Sequence, residues 1–307
     1  MFAAAFWIVR FYYVINLYFV YDQLATLRDL GLDNAAHDAV WPVFWIDRTG
    51  PETASLLILH LSLAAGMLGV LFWQRRWVRI VVIIAQLLVG AFANSFGAMN
   101  HGYHEWFWLG FCFVFLPQGH KEEIGESRQG RMSFLMVFSM AQGLVLLFYS
   151  LSGLSKVADA TLALGLERVG GFAPEAMALT LANRMIQTNS TAIWAPFIIE
   201  NYWVGWPLFL GVYFIEVVAI FVFLRPELHR LWGLMLIAFH IGTFLFMAIS
   251  FAPHVLINTM LFVLSPFAAA TLDWRAMLRQ LPVLGILLAR LCAPSPIRSP
   301  AARSKAI

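Results

Sequence analysis

Long apolar runs alternate with short polar connections along almost the whole chain. A run such as residues 53–73 would extend roughly 31 Å as a helix, and the hydrocarbon core of a bilayer is about 30 Å thick. A series of such runs predicts a polytopic integral membrane protein with about eight transmembrane helices. The predicted spans are 4–21, 53–73, 78–98, 104–117, 133–154, 204–224, 231–250 and 254–271, of which the fourth is short.

The composition agrees with a membrane protein. Of the 307 residues, 61% are hydrophobic and only 12% are charged, which is about half the charged fraction of an ordinary soluble domain. Such a chain cannot bury its apolar surface in one water-soluble core. The predicted fold class is therefore all-α, a bundle of membrane-spanning helices.

The spans divide the chain into three regions. Residues 1–274 form the predicted transmembrane domain, residues 275–292 an amphipathic helix in the membrane interface, and residues 293–307 a disordered basic tail. The two longest connections, 22–52 and 157–203, are predicted to lie on the extracytoplasmic side. Their short amphipathic stretches, such as Met177–Met185, suggest a lid over that face.

The cations define an orientation in the bilayer. The net charge is only +3, but with eight spans the basic clusters all fall on one side, which the positive-inside rule makes cytoplasmic. Both termini are then cytoplasmic, in the plasma (inner) membrane, and no nucleic-acid partner is needed to explain the charge. The first span has no basic region before it and no cleavage site after it, so we expect it to be retained.

No metal site is predicted. The two cysteines, Cys112 and Cys292, lie in apolar or membrane-adjacent sequence and form no ligand pattern. His101 and His104 are three residues apart and Glu105 follows them, but two nitrogens and one carboxylate do not complete a site.

A few polar side chains fall at membrane depth, where an ionisable group is costly and usually has a partner or a function. The sequence predicts a buried pair of Arg10 with Glu216 that fixes helix packing. His240 is expected to hydrogen-bond a neighbouring helix. His101 and Lys156 are predicted to lie at the outer ends of the third and fifth spans, which brings both to one extracytoplasmic face.

Three short elements resemble a known family. The run Tyr149-Ser-Leu-Ser-Gly-Leu-Ser-Lys156 is similar to the Tyr-Phe-x-Ala-Gly-x-x-Lys signature of the horizontally transferred transmembrane (HTTM) domain, the membrane part of vitamin K-dependent gamma-glutamyl carboxylase. Asn100-His101-Gly102-Tyr103 resembles that family's Asn-His-x-Tyr element, and Phe239-His240 its Phe-His element. Two departures are Ser150 and Ser152, which replace Phe and Ala. The resemblance does not extend to the large lumenal β-rich region of the animal carboxylase.

The resemblance implies a chemistry. Lys156 falls at the position of the lysine that deprotonates vitamin K hydroquinone in the carboxylase, before oxygen adds and a strong base is formed. A lysine has a reference pKa of about 10.4, and burial can bring it down by roughly 3–5 pH units, enough for a base near neutrality. The resemblance implies that His101 and Asn100 stabilise the anionic oxygen. It also assigns Tyr103, Tyr149 and His240 to binding a reduced quinone.

Three functions remain open from the sequence. One is a carboxylase-like or quinol-oxidising membrane enzyme with Lys156 as its base. Another is a non-catalytic subunit that binds a lipid or a quinone, in which Lys156 is only an interfacial anchor. The third is a transporter with a polar pathway through Arg10, Glu216 and His240.

Overall fold

The computed structural model describes residues 51–93, 104–119 and 126–267, together with residues 277, 280, 281 and 285. Within this part of the chain the regular structure is entirely helical, with no strand, as predicted. The chain divides into two compact units. The first contains the described residues up to Phe148 and the segment Phe251–His254. The second contains Tyr149–Ser250 and the described residues from Val255 onward.

The described helices follow one another with short connections. They are α1 (Pro51–Phe72), α2 (Arg76–Ala93), α3 (His104–Val114), α4 (Arg128–Gly165), α5 (Ala176–Thr188), α6 (Ala195–Glu200), α7 (Tyr202–Val222), α8 (His229–Met247) and α9 (Ala252–Asn258). A 3-10 turn, Pro226–Leu228, precedes α8, and a π-turn, Thr259–Val263, follows α9.

In the first unit, α1 and α2 pack as an antiparallel pair. Ala54 and Ile58, near the start of α1, form a buried cluster with Ala91 and Phe92, at the end of α2. Arg79 of α2 is almost fully buried, and its guanidinium donates to the carbonyl oxygens of Phe113 and Leu116 at 2.9 and 2.8 Å. Phe113 lies in the last turn of α3 and Leu116 two residues beyond its end, so Arg79 caps the end of that helix as well as contributing positive charge.

Three helical segments have the length and apolar composition to cross a bilayer: Arg128–Gly165, Tyr202–Val222 and Pro226–Met247. They correspond to the predicted spans 133–154, 204–224 and 231–250, and they support an integral membrane protein. The apolar segments Leu56–Phe72 and Ala252–Val263 are shorter. The predicted span 4–21 lies outside the described residues, and a total of eight spans stays a prediction.

Helix α4 is longer than its predicted span. The apolar run ends near residue 154, but the helix continues to Gly165, because alanine and leucine predominate after Lys156 and no glycine or proline interrupts them before Gly165. Lys156 was predicted to lie at the outer end of the fifth span, and the expectation that the helix also ends there is wrong. Lys156 lies in the interior of α4, where its neighbours along the helix fix its backbone.

The connection 157–203 is largely helical. It contains the end of α4, helix α5, which includes the predicted amphipathic stretch Met177–Met185, and α6. Leu181 and Ile198 form a buried cluster that packs against Phe246 and Met247 at the end of α8. The connection is thus folded onto one end of the second unit's helices.

Candidate functional site

Helices α4 and α7 approach each other closely at two small residues. At Gly153, a Cβ atom would lie only 2.6 Å from the backbone nitrogen of Val217 and 2.8 Å from Cβ of Glu216. One turn earlier, Ser150 Oγ lies 3.2 and 3.1 Å from the carbonyl oxygens of Glu216 and Val217 and accepts the N–H of Ile220 at 2.8 Å. We call this contact the crossing. Small residues allow two helix backbones to meet in this way.

The crossing brings Lys156 opposite Glu216. Lys156 follows Gly153 by three residues, so it lies one turn further along the same face of α4. Its Nζ is 2.5 Å from both Oε1 and Oε2 of Glu216. The Lys156 side chain is 38% exposed, whereas that of Glu216 is 3% exposed. We call these two residues the charged pair; its carboxylate is buried and its lysine side chain is partly exposed.

Helix α8 contributes an aromatic ring beside the charged pair. The Nζ of Lys156 lies 5.9 Å from the centroid of the Phe239 ring, which is within the range of a weak cation–π interaction. The neighbouring residue, His240, faces Tyr149 at the other end of the same stretch of α4. The two sequence elements 149–156 and 239–240 therefore contact each other at both positions.

Tyr149, His240 and Asn258 form a second polar group, which we call the tyrosine cluster. The Tyr149 hydroxyl lies 2.5 Å from Nε2 of His240 and accepts a hydrogen bond of 2.9 Å from Nδ2 of Asn258. All three residues are buried. Because the hydroxyl has one proton and already accepts from Asn258, the simplest assignment has Tyr149 donating to an unprotonated Nε2 of His240.

The charged pair was not predicted from the sequence. Glu216 is paired with Lys156 because the crossing places Lys156 within its reach, which apolar periodicity alone does not reveal. The partner predicted for Glu216, Arg10, lies outside the described residues, so that pair stays a prediction. The hydrogen bond predicted between His240 and a neighbouring helix is present, and its partner is Tyr149 on α4.

The remaining predicted site residues are not brought into this group by the described part of the chain. Asn100, His101 and Tyr103 lie outside the described residues, so their predicted roles stay predictions. Glu105 belongs to the first unit, where its Oε2 lies 3.5 Å from Nε2 of His254. Among the described residues, no group of three or more His, Cys, Asp or Glu side chains could hold a metal ion.

Two contributors escaped the sequence analysis. Asn258 is fully buried. Its position as a single amide within the apolar run 254–271 could have marked it as a residue with a buried polar partner. Ser150 was noted only as a departure from the HTTM signature. Its hydroxyl bonds the backbone of α7, and a phenylalanine there would collide with that backbone, so the departure matches the close crossing.

Comparisons of the chain with protein-family models, with curated proteins and with solved structures find no match. The resemblance to the HTTM domain therefore rests on the three short elements described above.

The chemistry available at the site follows from the two groups. The charged pair offers an amine and a carboxyl within proton-transfer distance, on a lysine whose side chain is partly exposed. The tyrosine cluster is sealed, and its hydrogen bonds link α4, α8 and α9. The first group can exchange a proton with a ligand, and the second holds the helices that position it.

Proposed function

We propose that the chain is an integral membrane enzyme of the HTTM type that takes a proton from a reduced quinone, with Lys156 as the base. The observation that carries this proposal is the charged pair: a lysine that is partly exposed, paired with a buried carboxylate and flanked by the Phe239 ring. The proposal includes about eight spans, a plasma (inner) membrane location, cytoplasmic termini and a site facing the extracytoplasmic side.

The residues present fit a quinol at this place. A quinol offers an aromatic ring and an acidic hydroxyl, and Phe239 and Lys156 supply an aromatic face and an amine next to each other. When bound, a reduced quinone would supply the electrons for reaction with oxygen, as in the carboxylase-like chemistry that the resemblance implies. The chain's own contribution is to orient the hydroxyl at Nζ of Lys156 and to accept its proton there.

His101 and Asn100 complete the proposal as hydrogen-bond donors to the resulting anionic oxygen. The roles of Tyr103, Tyr149 and His240 in quinone binding also belong to the proposal. For Tyr149 and His240 that role is indirect, because each is buried and their polar atoms bond each other.

One observation favours a second candidate, a non-catalytic quinone- or lipid-binding subunit. Both carboxylate oxygens of Glu216 are engaged by Lys156. A protein can use an ion pair of this kind simply to hold two helices together, with no role in catalysis. The two candidates differ in whether Lys156 must lose its proton during function.

The test is oxidation of vitamin K hydroquinone and other reduced quinones, under oxygen, by the purified protein in lipid. Lys156→Arg is the informative variant, since arginine keeps the positive charge opposite Glu216 but is effectively never deprotonated. Ser155→Ala is the matched control, because Ser155 is exposed and bonds only within its own helix, to the carbonyl of Ser152.

The enzyme is supported if wild type and Ser155→Ala form quinone or epoxide and folded Lys156→Arg does not. Equal rates in Lys156→Arg and wild type would exclude Lys156 as the base. Quinone binding without turnover by any of the three proteins would establish the binding subunit instead.

A further inference from the structure

Glu216 is a buried carboxylate with a single partner. Its side chain is 3% exposed, and both oxygens lie 2.5 Å from Nζ of Lys156. In the described part of the chain, no other side chain makes a hydrogen bond or an ion pair with this carboxylate. Lys156, whose side chain is 38% exposed, contacts both carboxylate oxygens, so it is placed to pass a proton to Glu216.

The surroundings of Glu216 contain few other charges. Helix α4 contributes Lys156 and, three residues on, the exposed Asp159. Helix α7 itself contributes Tyr213, which is buried one turn before Glu216. Helix α8 contributes the uncharged ring of Phe239, whose centroid lies 5.9 Å from Nζ of Lys156. Among the described residues, a positive charge on Lys156 is therefore the compensation that contacts a negative charge on Glu216.

The pair has two forms that contain the same number of protons. One is ammonium with carboxylate, and the other is neutral amine with carboxylic acid. Burial penalises a carboxylate, which favours the neutral form, whereas the mutual attraction of two charges at 2.5 Å favours the ionic one. Because these effects oppose each other, the proton can move from Nζ to Oε without leaving a new uncompensated charge in the protein.

We propose that Glu216 is the proton acceptor that makes Lys156 usable as a base, an inference that rests on the proposed function. Lys156 gives one proton to a Glu216 oxygen, breaking an N–H bond and forming an O–H bond. The amine then takes the proton of the substrate hydroxyl, whose oxygen keeps the electron pair. The charged pair gains one proton in total, and this step requires no oxidant or reductant. Glu216 acts through Lys156 and does not touch the substrate.

The test is the rate of quinol oxidation by wild type, Glu216→Gln, Glu216→Asp and Asp159→Asn. Glu216→Gln removes the proton acceptor that contacts Nζ of Lys156, so we expect it to lower kcat by about 100-fold. Glu216→Asp should restore part of the rate, and Asp159→Asn, an exposed carboxylate on the same helix, should match wild type.

A Glu216→Gln variant that is folded and has the wild-type kcat would overturn the inference while leaving Lys156 as the base. This differs from failure of the proposed function, in which Lys156→Arg keeps the wild-type rate.

If Glu216→Gln does not fold, infrared difference spectroscopy can test whether Glu216 takes up a proton. It uses wild type and Lys156→Arg, which both keep Glu216 and a positively charged residue at position 156. Adding a reduced quinone to wild type should increase the signal of a protonated carboxyl group, and Lys156→Arg should show no increase. Absence of that signal in an active wild type would also overturn the inference.

Discussion

The charged pair and the tyrosine cluster use the same helix in opposite ways. Tyr149 and Lys156 are seven residues apart on α4, which is about 10 Å along the axis. Tyr149 is 4% exposed and belongs to a group of neutral side chains that bond one another. Lys156 is 38% exposed and is held by one buried carboxylate. Two turns of helix separate a sealed, neutral group from an open, charged one.

The difference shows how a small helical unit can combine rigidity with reactivity. Neutral hydrogen bonds in a buried site fix the helices without a large desolvation cost, provided that each group has a partner. A buried charge requires a compensating charge, and that compensation is lost when either member is removed. Substitutions in the charged pair and in the tyrosine cluster should therefore differ in how much stability they cost. They should also differ in whether a second substitution restores that stability.

The largest effect is expected at the charged pair. Lys156→Met leaves the buried Glu216 carboxylate uncompensated and should lower the free energy of unfolding by up to about 3–5 kcal/mol. The double variant Lys156→Met/Glu216→Met removes both charges and should recover much of this loss. Denaturant titration in mixed micelles measures all three proteins. A double variant no more stable than Lys156→Met would show that the two side chains are not energetically coupled.

The next effect is expected at the crossing. Gly153→Ala places a methyl group 2.6 Å from the backbone nitrogen of Val217, and a backbone atom cannot move aside as a side chain does. We expect a loss of about 3 kcal/mol, the upper part of the range for overpacking. Lys156 should also be displaced from Glu216, which a lowered rate of quinol oxidation would register.

Gly211→Ala is the matched control for this prediction, because it lies within α7 and a Cβ there would meet nothing within 4 Å. It should be neutral or stabilise the protein by up to about 1 kcal/mol, the helix propensity difference between alanine and glycine. Equal destabilisation by Gly153→Ala and Gly211→Ala would contradict a close crossing at Gly153.

A smaller effect is expected in the tyrosine cluster. Tyr149→Phe keeps the ring but removes the hydroxyl that His240 and Asn258 both bond. The cost should be about 1–2 kcal/mol, since buried polar groups lose a partner while the packing is retained. Tyr202→Phe, at the start of α7, should change stability little, because the described residues make no hydrogen bond to its hydroxyl. A Tyr149→Phe variant as stable as wild type would mean that the cluster contributes nothing to stability.

The sequence could predict the helical class because the length and spacing of apolar runs depend only on local composition. Three of the predicted spans correspond to helices that are long and apolar enough to cross a bilayer. The end of α4 was missed because hydropathy stops at residue 154, whereas helix propensity carries the helix to Gly165. The end of an apolar run indicates where the chain leaves the hydrocarbon core, but a helix can continue beyond that point.

Of the site, the sequence could indicate some of the residues but not how they pair. Lys156, Glu216, Tyr149 and His240 were all singled out as polar residues in apolar surroundings or as parts of short elements. Their partners could not be predicted, because pairing depends on which faces of distant helices meet. Gly153 permits that meeting, and a single glycine in an apolar run gives no indication of which helix lies opposite.

A smaller effect still is expected for Ser150→Ala, at a residue that lies between the two groups. Ser150→Ala removes a hydroxyl that accepts the N–H of Ile220 and contacts two carbonyl oxygens of α7. Those backbone groups lie within a helix, where hydrogen bonds along α7 remain available to them, so the loss should be about 0.5–1 kcal/mol. Ser155→Ala, on the exposed face, should cost less.

Ser150→Phe makes the same position a strict test of the geometry. It restores the residue of the HTTM signature, yet the ring must occupy space within 3.2 Å of the α7 carbonyls. We expect it to destabilise the protein far more than Ser150→Ala and to separate Lys156 from Glu216, so that quinol oxidation falls as well. A Ser150→Phe variant with wild-type stability and activity would mean that α4 and α7 pack further apart than described, and both the charged pair and the proton route through it would have to be abandoned.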